Sequence, residues 1–94
     1  MDKDPVIESS GNVFVDLGFS PEESTLLAMR AELMARLRET INEREWTQQE
    51  ASKILGIGQS RVSDLVRGKW DKFSLDMLVT LVTRTGKHVE LAIA

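Results

Sequence analysis

Two short helices that meet across a tight turn are predicted between Thr47 and Gly68, in the stretch TQQEASKILGIGQSRVSDLVRG. Thr47 and Glu50 have the Thr-x-x-Glu spacing of a capping box, in which each side chain bonds the other residue's backbone N–H. The first of these helices stops at Gly56, and QSRVSDLVR forms the second. Gly68 can end that second helix in the left-handed conformation.

Two further helices and a strand are predicted around this pair. SPEE, at residues 20–23, is a second capping box with proline in the first turn, and it starts a helix that runs to about Arg44. Another helix opens at Phe73 and Ser74 and ends before Gly86, and HVELAIA alternates as a half-buried strand does. The apolar stripe predicted for the long helix is Leu26, Met29, Leu33, Leu37 and Ile41, with Met34 and Met77 also assigned to the core.

The chain of 94 residues is short enough for one domain with one core. We divide it into an acidic and apolar N-terminal arm at residues 1–19 and a helical domain at residues 20–94. Within the arm, VFVDLGF at residues 13–19 is predicted to be a short strand or an extended segment laid over the core.

Several classes of function are disfavoured by composition. There is no cysteine and only one histidine, so no metal site, cofactor or thiol chemistry is expected, and no Gly-rich phosphate loop or spaced acid pair points to an enzyme. His88 is interpreted as a surface residue. No apolar run could cross a bilayer, and the acidic N-terminus does not have the pattern of a secretion signal. We therefore expect a cytoplasmic protein without catalytic activity.

The second short helix has the chemistry of a surface that reads DNA bases. Val62, Leu65 and Val66 are predicted to point inward, which leaves almost only hydrogen-bonding side chains on the outer face. Glutamine pairs with adenine, arginine with guanine, and aspartate accepts from the cytosine amine. Trp46 and Trp70, which flank the unit, are predicted to pack at the core or its rim rather than to stack on bases.

These residues resemble a known family. TQQEASKILGIGQSRVSDLVRGK followed by FSLDML is similar, over about residues 41–81, to the XRE-type helix-turn-helix of Cro and the lambdoid phage repressors, which end the recognition helix with Val-Ser-x-Leu-x-x-Gly-Lys. The preceding SGNVFVDLGF resembles the N-terminal lead of the HigA-type antitoxins. The implied fold is mainly α, a compact helix-turn-helix bundle of four to five helices like that of lambda repressor, with the C-terminal β-strand used for dimerisation.

The resemblance also implies roles for individual residues. Gln48 would bond a phosphate, Gln59 and Ser60 would enter the major groove first, and Lys69 and Lys72 would meet the backbone beyond the recognition helix. Arg61 and Asp64 would read or flank bases, although an acid at Asp64 requires a cytosine amine or Arg61 to satisfy it. The candidate DNA contacts are Thr47, Gln48, Gln59, Ser60, Arg61, Ser63, Asp64, Arg67, Lys69 and Lys72.

Charge is distributed unevenly along the chain. Residues 1–43 carry a net charge of −5, residues 44–72 carry +2, and residues 73–94 are neutral, within a total of −3. A local +2 is modest for a DNA surface, so we expect a homodimer on a palindromic operator, which doubles the phosphate contacts. Pairing of the C-terminal strand with its twin would cover the dimerisation residues Val89, Leu91 and Ile93; the competing interpretation pairs this strand with residues 13–17 of the same chain.

Three functions follow from the sequence. The first is a DNA-binding repressor that is the antitoxin of a type II toxin-antitoxin pair, with its acidic segment bound to a small basic RNase toxin. The second is a stand-alone XRE-type transcriptional regulator. The third is an interaction adaptor that no longer binds DNA.

Overall fold

A computed structural model describes residues 13–94 of the chain. Along this part the order is α1 (Val13–Asp16), α2 (Pro21–Glu43), α3 (Gln48–Leu55), α4 (Gln59–Val66), a single 3-10 turn (Trp70–Lys72) and α5 (Leu75–Arg84). The mainly helical architecture and the bounds of the predicted helices are confirmed. The section of the predicted arm at residues 1–12 lies outside the described residues.

Both predicted capping boxes form. Thr47 Oγ1 accepts from the Glu50 N–H at 3.0 Å, and Glu50 Oε1 accepts from the Thr47 N–H at 2.8 Å. At the start of α2, Ser20 and Glu23 exchange the same pair of bonds at 3.2 Å. Because each box satisfies two otherwise unpaired groups, it sets the residue at which the helix begins.

The core lies where α2 and α5 cover the inner faces of α3 and α4. Trp46 and Trp70 pack against it from the rim, as predicted. A cluster of this size excludes water from one side of both short helices, and that burial is the main stabilising contribution to the α3–α4 pair. The core residues are Met34, Leu37, Ile41, Ala51, Leu55, Val62, Leu65, Phe73, Leu78, Leu81 and Val82.

The buried face of α2 differs from the predicted stripe in its first half. Leu27 is 5% exposed, whereas the neighbouring Leu26 is 43% exposed. The apolar residues that α2 buries are Leu27, Met34, Leu37 and Ile41. Two adjacent apolar rows on one helix both satisfy helical spacing, and periodicity alone cannot choose between them. Met77, also predicted to be core, is exposed as well.

Residues 13–19 are helical at their start, so the predicted strand or extended segment is wrong. The Phe19 N–H donates to the Phe14 carbonyl at 3.2 Å across Gly18, whose φ is +95°. A six-to-one bond over a left-handed glycine is the usual close of a helix. Phe14 then lies edge-on to Trp70 with ring centroids 6.1 Å apart, which places this short helix beside the start of α2 and the 3-10 turn.

The predicted C-terminal strand is not formed in the single chain. Residues 87–94 have no regular secondary structure, and no strand occurs anywhere in residues 13–94. The pairing with residues 13–17 is wrong, because that segment is the helix α1 and the start of the turn that follows it. A strand needs a neighbouring strand for its N–H and C=O groups, and residues 13–86 supply none. Within residues 13–94, none of the helices has the length and apolarity to span a bilayer.

Candidate nucleic-acid interface

The turn of the α3–α4 unit is held by side-chain bonds from two elements, α3 and α5. Gly56 ends α3 with φ +71°, and the Ser52 hydroxyl donates to the Ile57 carbonyl within the turn. From α5, Arg84 Nη1 donates to the Leu55 carbonyl at 2.6 Å, which caps a carbonyl that α3 itself leaves unpaired. The angle between the two short helices is therefore fixed by the rest of the fold.

The recognition helix α4 has one apolar side and one polar side, as the sequence predicts. Val62 and Leu65 are fully buried, and Val66 packs against the core from its edge. On the other side, the structure leaves the predicted contact residues Gln59, Ser60, Arg61 and Arg67 exposed, while Ser63 and Asp64 are half-buried. A helix whose inner side is so completely buried presents its polar side at a fixed orientation.

Thr47 and Gln48 lie exposed at the start of α3. The Thr47 oxygen already accepts the Glu50 N–H, so Thr47 has a structural role in addition to its predicted contact with DNA. Gln48 is the first residue of α3, where the N–H groups of the helix are unpaired and its dipole is positive. Both features suit an anionic phosphate.

The segment between α4 and α5 is attached to α4 at both of its ends. At the near end, the Lys69 N–H donates to the Asp64 carbonyl at 3.0 Å. At the far end, Arg61 Nη1 donates to the Lys72 carbonyl at 2.8 Å. The Arg61 guanidinium also lies 6.0 Å from the centre of the buried Phe73 ring. Lys69 and Lys72, predicted to contact phosphates, are therefore carried on a segment whose position relative to α4 is defined.

Asp64 has a cation beside it. Its carboxylate lies 3.9 Å from Lys69 Nζ, and its side chain is 23% exposed. The sequence left a cytosine amine or Arg61 as the group that would satisfy this acid. In the structure Lys69 is the neighbouring cation, while Arg61 bonds the Lys72 carbonyl. The Lys69 ammonium offsets part of the repulsion between Asp64 and a phosphate.

Arg38 is a candidate phosphate contact that the sequence did not reveal. A groove of about 310 Å³ runs between α2 and the end of α4, lined in part by Arg38, Arg67 and Trp70. Arg38 Nη1 lies 3.4 Å from the position that a Cβ would take on Gly68. Arg38 precedes the recognition helix by two elements, and only the packing of α2 against α4 brings it beside Gly68.

Comparison with known proteins agrees with this geometry. None of the curated proteins has a sequence that matches the chain. Residues 13–94 match the model of a family described as a helix-turn-helix domain, a range that includes α1 and the C-terminal tail as well as the α3–α4 unit. The buried inner side of α4, its polar outer side and the adjoining lysines agree with this match. The chain belongs to the helix-turn-helix domain family, and this membership supports DNA as its partner.

Proposed function

We propose that the protein is a sequence-specific transcriptional repressor that places α4 in the major groove of double-stranded DNA. The observation that carries this proposal is the division of α4 between the fully buried Val62 and Leu65 and the exposed Gln59 and Ser60 at its first turn. A recognition helix contacts base edges mainly with its N-terminal residues. Glutamine, with a donor and an acceptor in one plane, can bond adenine at two points.

The remaining predicted residues divide by their position around α4. Thr47 and Gln48 at the start of α3, and Lys69 and Lys72 after α4, flank the groove-facing turn on its two sides and contact phosphates. Ser63 and Asp64 lie further along the same helix and flank bases. Arg67 and Arg38, which share the groove beside Gly68, add positive charge at the edge of the interface.

A homodimer is part of this proposal. One copy offers few phosphate contacts, and a second copy doubles them on a palindromic operator with half-sites about 34 Å apart. The exposed Leu91 and Ile93, with Val89, supply an apolar tail that a twin chain would cover by strand pairing across a two-fold axis. The strand that is absent from the single chain would form only in that dimer.

The test of DNA reading is a selection of bound sequences from a random duplex pool, followed by binding titrations. Wild type is expected to enrich a palindromic site and to bind it at least about a thousandfold more tightly than a shuffled duplex. Gln59→Ala is expected to weaken binding to the selected site by about 1–3 kcal/mol and to relax the preference at one position of each half-site. Enrichment of no sequence would contradict the proposal.

Binding of a toxin is the second part of the proposed function, and a separate surface of the protein supports it. Val13, Val15 and Leu17 on and after α1 are exposed, and the same stretch of sequence carries exposed acids at Asp16 and Glu22. Exposed apolar side chains in an acidic segment suit a basic protein with an apolar contact face. On this basis we propose the antitoxin of a type II pair, a non-enzymatic protein that neutralises a small basic RNase and represses its own operon.

Expression from the native gene neighbourhood would separate the remaining functions. A small basic protein that is encoded beside this chain and co-purifies with it supports the antitoxin. DNA binding without such a neighbour supports the stand-alone regulator. Partner binding without any enrichment of DNA supports the adaptor.

A further inference from the structure

We infer that Arg61 is a positioning residue, which holds the loop after the recognition helix so that the Lys72 side chain faces a DNA phosphate. This inference rests on the proposed DNA binding and assigns Arg61 a task other than the base contact implied by the family resemblance. The inference follows from the hydrogen bond that the Arg61 guanidinium makes to the Lys72 carbonyl.

The hydrogen bond and the ring contact of the Arg61 guanidinium both lead to the far end of that loop. Nη1 donates to the Lys72 carbonyl at 2.8 Å, eleven residues along the chain. The guanidinium carbon lies 6.0 Å from the centre of the Phe73 ring, and Phe73 is 4% exposed. Arg61 therefore connects the recognition helix to a residue whose neighbour is anchored in the core.

The other bonds of the loop do not make this connection. Lys69 N–H donates to the Asp64 carbonyl and fixes only the near end. Lys72 N–H donates to the Lys69 carbonyl at 3.0 Å, and Phe73 N–H donates to the Trp70 carbonyl at 3.2 Å, both within the loop. Among the hydrogen bonds described here, the Arg61 bond ties the last turn of the loop directly to α4.

The chemistry of the two cations fits this division of labour. Arginine has a planar group with five N–H donors, so it can bond a carbonyl while its face covers a ring. Lysine is a point charge on a flexible stem, and its contact with a phosphate depends on where its backbone is held. Base reading by Arg61 would require the guanidinium to divide its donors between Lys72 and a guanine, or to leave the loop.

The test is a double-mutant cycle between Arg61→Met and Lys72→Ala. Methionine keeps an unbranched side chain over Phe73 but has no donor, and Lys72→Ala removes the ammonium while keeping the carbonyl that Arg61 bonds. Affinities for a selected duplex and a shuffled duplex are measured by fluorescence anisotropy at salt concentrations from about 50 to about 200 mM. This range gives the slope of affinity against salt concentration, which reports the number of phosphate contacts. Far-UV circular dichroism and thermal midpoints verify that each variant is folded.

We expect each single variant to bind both duplexes about fivefold to tenfold more weakly at 0.1 M salt, with a salt slope smaller by about 0.9 per bound protomer. The preference for the selected duplex should stay within about twofold of wild type, because a phosphate contact carries no sequence information. The double variant should lose no more DNA affinity than either single variant, since Arg61 acts through Lys72. Arg61→Lys, which keeps one donor within reach of the carbonyl, should recover most of the lost slope.

Other outcomes would overturn the inference. A reduced preference with an unchanged salt slope would make Arg61 a base reader. Additive losses, with a slope smaller by about 1.8 per protomer in the double variant, would make it a separate phosphate contact. If wild type itself does not distinguish the duplexes, the proposed sequence specificity fails, while the cycle on the shuffled duplex still decides the role of Arg61.

Discussion

Asp64 places a carboxylate among the hydrogen-bonding and cationic side chains on the outer face of α4. The acid is half-buried, and Lys69 Nζ lies 3.9 Å from it. This pair both weakens the repulsion of phosphates and occupies a lysine that could itself contact DNA. At residue scale, the acid should therefore lower affinity for any sequence unless a base amine bonds it.

Replacing Asp64 with asparagine tests this effect at constant shape. Asp64→Asn removes one negative charge and releases Lys69, so binding to a shuffled duplex should become about twofold to tenfold tighter at 0.1 M salt. On a selected site the gain should shrink or reverse if Asp64 accepts from a cytosine amine. Anisotropy titrations on both duplexes measure the two effects.

Glu43→Gln is the matched control for Asp64→Asn. Glu43 is also an acid beside a lysine, with Lys87 Nζ at 3.8 Å, but it lies at the end of α2 rather than on α4. Its replacement removes the same charge outside the recognition helix and should change DNA affinity less than Asp64→Asn does, since salt screens exposed charges. Equal gains in the two variants would mean that Asp64 acts only through net charge.

Gly56 is a residue at which substitution should disturb the turn between α3 and α4. Its φ is +71°, and Arg84 Nη1 lies 3.1 Å from the position of an added Cβ. Gly56→Ala should reduce the free energy of unfolding by about 1–2 kcal/mol for the left-handed backbone, and by more if Arg84 loses the Leu55 carbonyl. Urea unfolding followed by circular dichroism measures the loss.

Gly18→Ala is the control that separates the cost of the left-handed backbone from the cost of displacing Arg84. Gly18 also has a positive φ, but nothing lies within 4 Å of its added Cβ. It should therefore show the backbone cost without the displacement of Arg84. A loss for Gly56→Ala no greater than that for Gly18→Ala would show that Arg84 adjusts freely.

At the scale of elements, the two capping boxes allow stability and DNA contact to be measured separately. Thr47→Ala and Ser20→Ala each remove the oxygen that accepts an N–H in the first helical turn, so each should cost about 1 kcal/mol of folding free energy. Only Thr47 lies at the predicted interface. Thr47→Ala should weaken DNA binding, whereas Ser20→Ala should leave it unchanged when both proteins are fully folded.

Thr47→Ser completes this comparison, because serine keeps the capping oxygen. It should restore the folding free energy measured by urea unfolding and most of the DNA affinity. If Ser20→Ala weakens DNA binding as much as Thr47→Ala does, the effect of Thr47 arises from stability alone.

The elements that could be predicted are those whose signals are local. Capping pairs such as Thr47 with Glu50 and terminal glycines such as Gly56 act within a few residues, so sequence placed α2, α3, α4 and α5 correctly. The predictions that were wrong concern residues whose position depends on packing partners elsewhere in the chain. Leu27 rather than Leu26 faces inward, and Phe14 sits in a helix beside Trp70, because of packing that no local pattern encodes.

The candidate site shows the same division. The buried Val62 and Leu65 could be predicted from spacing within α4, and with them the polar outer face. The Arg61 bond to Lys72 and the approach of Arg38 to Gly68 could not, since they join residues 11 and 30 positions apart through the tertiary structure. The roles of the predicted contact residues on DNA stay predictions.

At the scale of the whole molecule, charge and apolar surface point to assembly. The chain is acidic overall at −3, so a single copy must bind DNA against its own net charge. Within residues 13–94, the exposed large apolar residues fall into two main groups in sequence. One includes Val13 and Leu17 around α1, and the other is the tail with Val89, Leu91 and Ile93.

The proposed dimer assigns these two groups to different tasks. Leu91 is 79% exposed and Ile93 is 88% exposed, and alternate residues of a strand share one face. Replacing both with glutamate places like charges on that face in each twin and should convert the dimer to a monomer in size-exclusion chromatography with light scattering. Lys87, whose ammonium bonds Thr40 Oγ1 at 3.0 Å, remains and keeps the start of the tail attached to α2.

Val13→Glu with Leu17→Glu is the matched control, with the same change of charge on the other exposed group. It should leave the dimer intact, since this surface is assigned to a basic partner. The tail variant should also lose more than tenfold in affinity for a palindromic duplex while binding a single half-site as wild type does, because the reading unit itself is unchanged. If the dimer persists in the tail variant but is lost in the control, the dimer contact is formed by α1 rather than by the tail.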